Sequence, residues 1–385
     1  MINQERLKNL LLELVQIDSI SRKERDVAER IKKYCEEMGA QAEIDDAGAK
    51  VGGNSGNVIV RFPGTIPDAE PIMMSAHMDT VVPGEGVKPI IEGDIIRSDG
   101  TTVLGGDDKS GCAVIIETIR CLQEQNIPHA PIEAVFSICE EVGLLGAKHV
   151  DVSRLKAKYG LVFDSDDPGF LFTKGPSANH MEFRIYGLEA HAGVAPEEGI
   201  SAIKIAAEAI AAMKLGRIDE ETTANIGVIE GGKATNIITN LVTLRGEARS
   251  LDDDKLEAQT AHMVKCLEDA AAKYEVTVAG VTTKGRVESD ITREYYAMDV
   301  PESSRVVQLV YQAAARLGQK VEVMSSGGGC DANIFNKRGI ECANFGTGMR
   351  AIHTVKEWLD VKDMYASAEM TLEVLKLNGE LAMNK

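Results

Sequence analysis

Apolar and polar positions follow two rhythms along this chain. Leucines at 7, 10, 11 and 14, with charges between them, repeat at the helical period and predict a helix over 2–17. A second helix is expected over 22–38, capped by Ser19 or Ser21 and stopped by Gly39. Apolar runs at 57–62 and 71–76, bounded by Gly and Pro, predict neighbouring strands of one buried sheet. A hairpin over 89–98 turns at Gly93-Asp94, and an apolar helix over 112–125 follows it. Then come strand 131–139, a short helix 143–149 and strand 159–163. Alternating strands and helices predict an α/β fold, a mostly parallel sheet flanked by helices.

Beyond Lys174-Gly175-Pro176 the rhythm changes. Strands at 178–187, 223–230, 241–250 and 275–284, with helices at 199–213 and 252–274, have the order β-α-β-β-α-β of a ferredoxin-like α+β domain. From about Pro301 the α/β style resumes with helix 302–317, strand 321–325, helix 331–337, strand 343–345 and a last helix 361–378. The expected organisation is one α/β domain, 1–176 and 292–385, interrupted by an inserted domain, 177–291.

Chemistry concentrates where the first domain's strands end. Strand 71–76 runs into His77-Met78-Asp79, strand 131–139 into Glu140-Glu141, and strand 159–163 into Asp164; Gly105-Gly106 precede Asp107-Asp108. In α/β folds function sits at the carboxyl ends of strands. Adjacent carboxylates at the end of a buried strand are costly unless something positive neutralises them. If His77, Asp107, Glu141, Asp164 and His353 converge, two imidazoles and three carboxylates suit a pair of first-row divalent ions, one carboxylate bridging. Such a pair activates water and polarises a carbonyl, the requirements of amide hydrolysis. Asp79 is then expected to bond the far nitrogen of His77, and Glu140 to carry a proton from the water to the leaving amine. His129, His149, His180 and His262 lack acidic company and read as structural.

Composition narrows the partners. Among 385 residues, Lys+Arg number 42 and Asp+Glu 60, a formal charge of −18, which disfavours nucleic acid and anionic membranes. The N-terminus carries no secretory signature and no apolar run reaches membrane-spanning length. Seven scattered cysteines, with no Cys-x-x-Cys pair, suggest neither a disulfide framework nor a zinc knuckle, so a reducing cytoplasm is expected.

The motifs SAHMDT (75–80), GGDDKSG (105–111), CEEVGLLGA (139–147), FDSD (163–166), GLEAHAG (187–193), GGKATNII (231–238), GGGCDAN (327–333) and IHT (352–354), in this order, resemble the co-catalytic di-zinc exopeptidases. That family includes peptidase T (tripeptidase), glutamate carboxypeptidase and aminoacylase, and the peptidase T-like subgroup is the most similar. The resemblance implies one zinc on His77 and Asp164 and another on Glu141 and His353, with Asp107 bridging; manganese or cobalt are alternatives. It makes 177–291 a lid through which a homodimer forms, with His191 reaching the partner's site to stabilise an oxyanion. It also implies that Asn236 and Arg249 hold the substrate, and the amides around Gly328 suit the same task. Within that resemblance, aspartate rather than glutamate at position 164 implies an aminopeptidase or tripeptidase acting on short peptides. Two departures stand out: Cys330, where relatives carry Thr or Ser, and Thr354-Val355-Lys356-Glu357 in place of Ser-Pro-Asn-Glu. The rival readings are an N-acyl-amino-acid deacylase on the same ions and a metal-stabilised binding protein without turnover, the latter disfavoured by Glu140.

Overall fold

The apolar runs assemble into a nine-stranded sheet in a computed structural model that describes residues 1–66 and 68–383. Four central strands run parallel in the order Ile132–Ser137, Ile72–His77, Tyr159–Ser165, Glu341–Gly346. Antiparallel strands flank them: Val58–Phe62 and then Gln41–Ile44 on one side, Phe170–Gly175 and Met298–Asp299 on the other. Glu322–Ser325 adds to Phe170–Gly175 in parallel. The two strands expected to be neighbours, Val58–Phe62 and Ile72–His77, are therefore separated by Ile132–Ser137. An apolar run signals burial on both faces, and the strand it pairs with is left open.

The chain divides into two compact units, Met1–Gly175 with Met298–Lys385, and Pro176–Ala297. In the first, every residue of Ile72–His77 and of Ile132–Ser137 is buried, as parallel strands covered on both faces must be. Phe163 and Phe345, on adjacent strands, meet edge to face at 6.5 Å beneath the strand ends. Helix Gly106–Glu124 presses its first turn onto this sheet at Gly111, where a Cβ would lie 2.5 Å from the Phe163 carbonyl oxygen. Only glycine admits that approach.

Helix Gln4–Val15 buries Leu7, Leu10, Leu11 and Leu14, and Asn3 caps it by accepting the Arg6 N–H. Arg6 then reaches Glu117, a buried carboxylate on helix Gly106–Glu124, through Nε (2.6 Å) and Nη2 (2.9 Å). Arg6→Ala is expected to strand that charge and cost about 3 kcal/mol, read as a lowered urea midpoint at unchanged slope. Ser19 and Ser21 do not cap the second helix, which begins at Arg25 behind Glu24. Their hydroxyls go instead to the Met78 carbonyl oxygen (2.8 Å) and the Asp79 carboxylate (2.7 Å).

The second unit is an antiparallel sheet ordered Gly216–Arg217, Thr222–Gly231, Leu241–Ser250, Ser177–Tyr186, Arg286–Tyr295, packed on helices Ala202–Ala212 and Asp253–Ala271. Its last strand is not the expected 275–284. That stretch folds on itself as a hairpin, Glu275–Val278 with Val281–Lys284, turning at Ala279-Gly280, both with positive φ. An alanine there hid the turn. All seven cysteines are free thiols; six are buried, and Cys266 on helix Asp253–Ala271 is half-buried. Burial holds the buried thiols well above the ordinary range, Cys35 at about 12 and Cys121 at about 11. Among the described residues no helix is long and apolar enough to cross a membrane.

Candidate metal centre

Three parallel strands deliver polar residues at or just beyond their carboxyl ends to one rim. Ile72–His77 ends on His77, Ile132–Ser137 runs on into Glu140 and Glu141, and Tyr159–Ser165 carries Asp164 as its penultimate residue. Asp107 arrives differently, from the loop at the head of helix Gly106–Glu124 rather than from a sheet strand. Gly105 turns that loop with φ +75°, and Asp107 and Asp108 leave helical geometry across a cis peptide. His353 comes from a turn after Met349–Arg350, with φ +61° at His353 and +52° at Ala351.

These residues converge. His77 Nε2 lies 3.0 Å from Asp107 Oδ1 and 4.0 Å from Asp164 Oδ1. His353 Nε2 lies 3.2 Å from Asp107 Oδ2 and 2.9 Å from Glu141 Oε2. Two sets of candidate donor atoms result, His77/Asp107/Asp164 and Asp107/Glu141/His353, each within 4.8 Å of one another. Asp107 belongs to both, one oxygen toward each histidine.

Asp79 differs from expectation in an instructive way. The His77 Nδ1–H donates to its backbone carbonyl (2.9 Å), which leaves Nε2 to face the carboxylates. The Asp79 carboxylate, 3.5 Å from that nitrogen, accepts the N–H groups of Glu140 (2.9 Å) and Glu141 (3.3 Å) and the Ser21 hydroxyl. It therefore fixes the bend from which the two glutamates project. Cys139, with φ +52°, makes that bend.

The charge balance is what a cation site requires. Burial and then the charge of Asp164 push Glu140 well above the ordinary carboxylate range, and burial with Asp107 pushes Asp164 to about 8. Burial also raises Glu141, while its contact with His353 opposes the rise. Asp107 alone is held low, its bonds to His353 and His77 overcoming burial. The buried Glu141 Oε1 has no hydrogen-bond partner. An orphaned carboxylate oxygen beside imidazole and carboxylate donors fits a divalent ion of the zinc, manganese or cobalt kind.

Without an ion, protons take the cations' place. His353 is raised to about 10 by Asp107 and Glu141, and His77 is raised by Asp107 and Asp79 against the effect of burial. Both folded values lie above those of a free imidazole, so at neutral pH an entering ion must displace protons. Ion loading is expected to release protons and to tighten as pH rises from 6 toward 8. Calorimetry in buffers of different ionisation enthalpy reads both effects, and buffer-independent heats would contradict them.

The other expected residues are not part of these two donor sets. In the second unit His191 and Asn236 are exposed, and Arg249 has its fork on Glu247 (3.1 and 2.9 Å). The Gly328 N–H is donated to Ser326 Oγ (3.1 Å), so it is engaged within its own turn. His129 bonds the Ala130 carbonyl oxygen and His262 accepts the Lys214 N–H. Sequence reasoning passed over three buried groups around the donors. Asp108 accepts the His77 N–H (3.2 Å), Asp331 takes the Ser137 hydroxyl, and Glu357 holds the Asp107 loop. Each acts on backbone or a hydroxyl, and only the acidic pair Asp107-Asp108 left a mark in the pattern.

Residues 73–377 match the model of peptidase family M20/M25/M40. The chain belongs to that family. It is a hydrolase of the peptidase class, and this M20 chain has relatives matched over nearly its whole length. The Bacillus subtilis (strain 168) protein YqjE, itself uncharacterized, is 42% identical over 98% of this chain and 99% of its own. Peptidase T of Fusobacterium nucleatum subsp. nucleatum is 28% identical over 91% of this chain and 83% of its own. Among solved structures, aminopeptidase PepT from Bacillus cereus ATCC 10987 is 42% identical with a TM-score of 0.88, covering 98% of this chain and 99% of that one. A tripeptidase from Staphylococcus aureus subsp. aureus Mu50 is 37% identical with a TM-score of 0.92, covering 99% and 100%.

Proposed function

We propose that this M20 peptidase is a two-ion aminopeptidase acting on short peptides, tripeptides among them. The observation that carries this reading is Asp107, whose two oxygens face two different histidines, each completed by a further carboxylate. Support for the substrate class comes from the likeness to structures named aminopeptidase and tripeptidase.

In this reading His77, Asp107 and Asp164 hold one ion, and Asp107, Glu141 and His353 the other. Two ions there, zinc with manganese or cobalt as alternatives, would polarise the scissile carbonyl and make an attacking water acidic at neutral pH. The protein supplies the rest. His77 is kept in one tautomer by the Asp79 carbonyl, so its Nε2 lone pair stays on the donor side. Glu140 belongs to neither donor set, and its backbone N–H is held by the Asp79 carboxylate. It is the group that takes the water's proton and returns it to the leaving amine.

His191 has a role compatible with its exposure. Its Nδ1 accepts the Gly193 N–H (3.1 Å), so a neutral ring carries its proton on Nε2, the form that donates to an oxyanion. Our reading places that donation in the site of a partner copy, with the 177–291 domain forming the dimer. Light scattering should give twice the chain mass; a monomer with full activity removes this part.

The test of the whole reading is metal analysis with a substrate panel. Two ions per chain are expected, with activity lost on chelation and restored by zinc, manganese or cobalt. Free N-terminal residues should be released from di- and tripeptides faster than acyl groups from N-acyl amino acids. The reverse preference makes the chain a deacylase, and an ion-free active enzyme ends the proposal.

A further inference from the structure

The ligands reach the centre by unequal means. His77 and Asp164 sit on central strands of the sheet: His77 is paired with Ser137 of the neighbouring strand, and the Asn344 amide on the adjacent strand clamps the Asp164 backbone, Oδ1 accepting its N–H (2.9 Å) and Nδ2 donating to its carbonyl oxygen (2.6 Å). His353 sits on a turn whose residues Ala351 and His353 are both left-handed without being glycine, and its side chain is 52% exposed. Left-handed backbone at such residues costs about 1–2 kcal/mol each, so something must hold the turn. Thr354 braces it locally, donating to the Ala351 carbonyl oxygen (2.8 Å) and accepting the Lys356 N–H (3.1 Å). That brace joins the turn to nothing else.

Glu357 makes the connection. It is 1% exposed, its N–H bonds the Thr354 carbonyl oxygen (3.0 Å), and it opens directly into strand Trp358–Asp360. Its carboxylate accepts three backbone N–H groups from the loop that carries Asp107: Leu104 (2.7 Å) and Gly105 (2.9 Å) at Oε2, and Asp107 (3.0 Å) at Oε1. A buried carboxylate spends its acceptor capacity here on the one segment that delivers Asp107. The fit is close, since a Cβ on Gly106 would stand 3.1 Å from Glu357 Oε1. One side chain thus sets the Asp107 loop relative to the His353 turn, across 250 residues of sequence.

We propose that Glu357 is a positioning residue for the second ion site, Asp107/Glu141/His353, which it assembles by locking the Asp107 loop to the His353 turn. The inference rests on the two-ion reading above and assigns a consequence to one site only. Two of that site's three ligands depend on Glu357, whereas in His77/Asp107/Asp164 two of three are held by the sheet.

Glu357→Gln keeps the shape but turns an NH2 toward a backbone N–H, breaking at least one of the three bonds. In the full-length protein, titrated with zinc, the variant should keep one tight ion per chain while the second binds about 10–100-fold more weakly. The ion-free melting temperature should stay within a few degrees of wild type. Gly106→Ala approaches the same joint from the other side, displacing Oε1 with the charge retained, and should weaken the second ion in the same direction. A merely structural carboxylate would lower the ion-free melting temperature and both affinities together, which overturns the proposal, as does unchanged binding of the second ion in both variants. A wild-type protein that binds fewer than two ions defeats the two-ion reading instead, so the failures are distinguishable.

Discussion

Glu140→Gln is expected to lower kcat by about 10²–10⁴-fold while two ions per chain remain bound. The separation of effects follows from where the carboxylate stands. Its backbone N–H is pinned to Asp79 (2.9 Å), as is that of Glu141 (3.3 Å), so the two side chains leave the same bend in different directions of use. Glu141 meets His353 at 2.9 Å and enters a donor set; Glu140 enters neither. A glutamine there keeps size and polarity and loses only the capacity to accept a proton. KM should change little, because nothing assigned to ion or substrate binding is altered. Loss of ions from the variant would make Glu140 a ligand; full activity would remove it from the reaction.

Asp107→Asn should do the opposite, losing ions first and activity as a consequence. Its two oxygens face His77 (3.0 Å) and His353 (3.2 Å), and an amide can present an oxygen to only one of them. The other site would confront an NH2 group that cannot act as a ligand. Two-ion stoichiometry should collapse, and kcat/KM should fall by about 10²–10⁴-fold, the equivalent of several kcal/mol of lost charge stabilisation. Excess zinc should recover part of the activity, which it cannot do for Glu140→Gln. Two tightly bound ions in Asp107→Asn would show that no carboxylate bridge is needed.

Much of the scaffold is legible in the sequence because burial on both faces leaves a simple trace. Ile72–His77 and Ile132–Ser137 are largely apolar runs, interrupted only by Ser75 and Glu133, and the polar residues that end them mark the rim. Pairing order is not legible in the same way. Val58–Phe62 lies beside Ile132–Ser137, more than 70 residues on, because pairing is settled by the packing of the whole sheet. The five residues proposed as ligands carry visible chemistry at visible positions, and the structure brings them together. Ser19 and Ser21 mislead, since a serine before a helix is a cap in most contexts, and here both hydroxyls serve the stretch after His77. Glu357 is silent for a different reason. It works through three backbone N–H groups, which every residue but proline possesses, so no partner residue type announces it.

The distribution of thiols has a practical corollary. Six cysteines are buried, while Cys266 is partly open on a helix of the second unit. A maleimide dye added to the native enzyme should therefore couple once per chain, at Cys266. The wild-type protein carries its own attachment point for fluorescence, and none of the groups proposed to bind ions or move protons is a competing target.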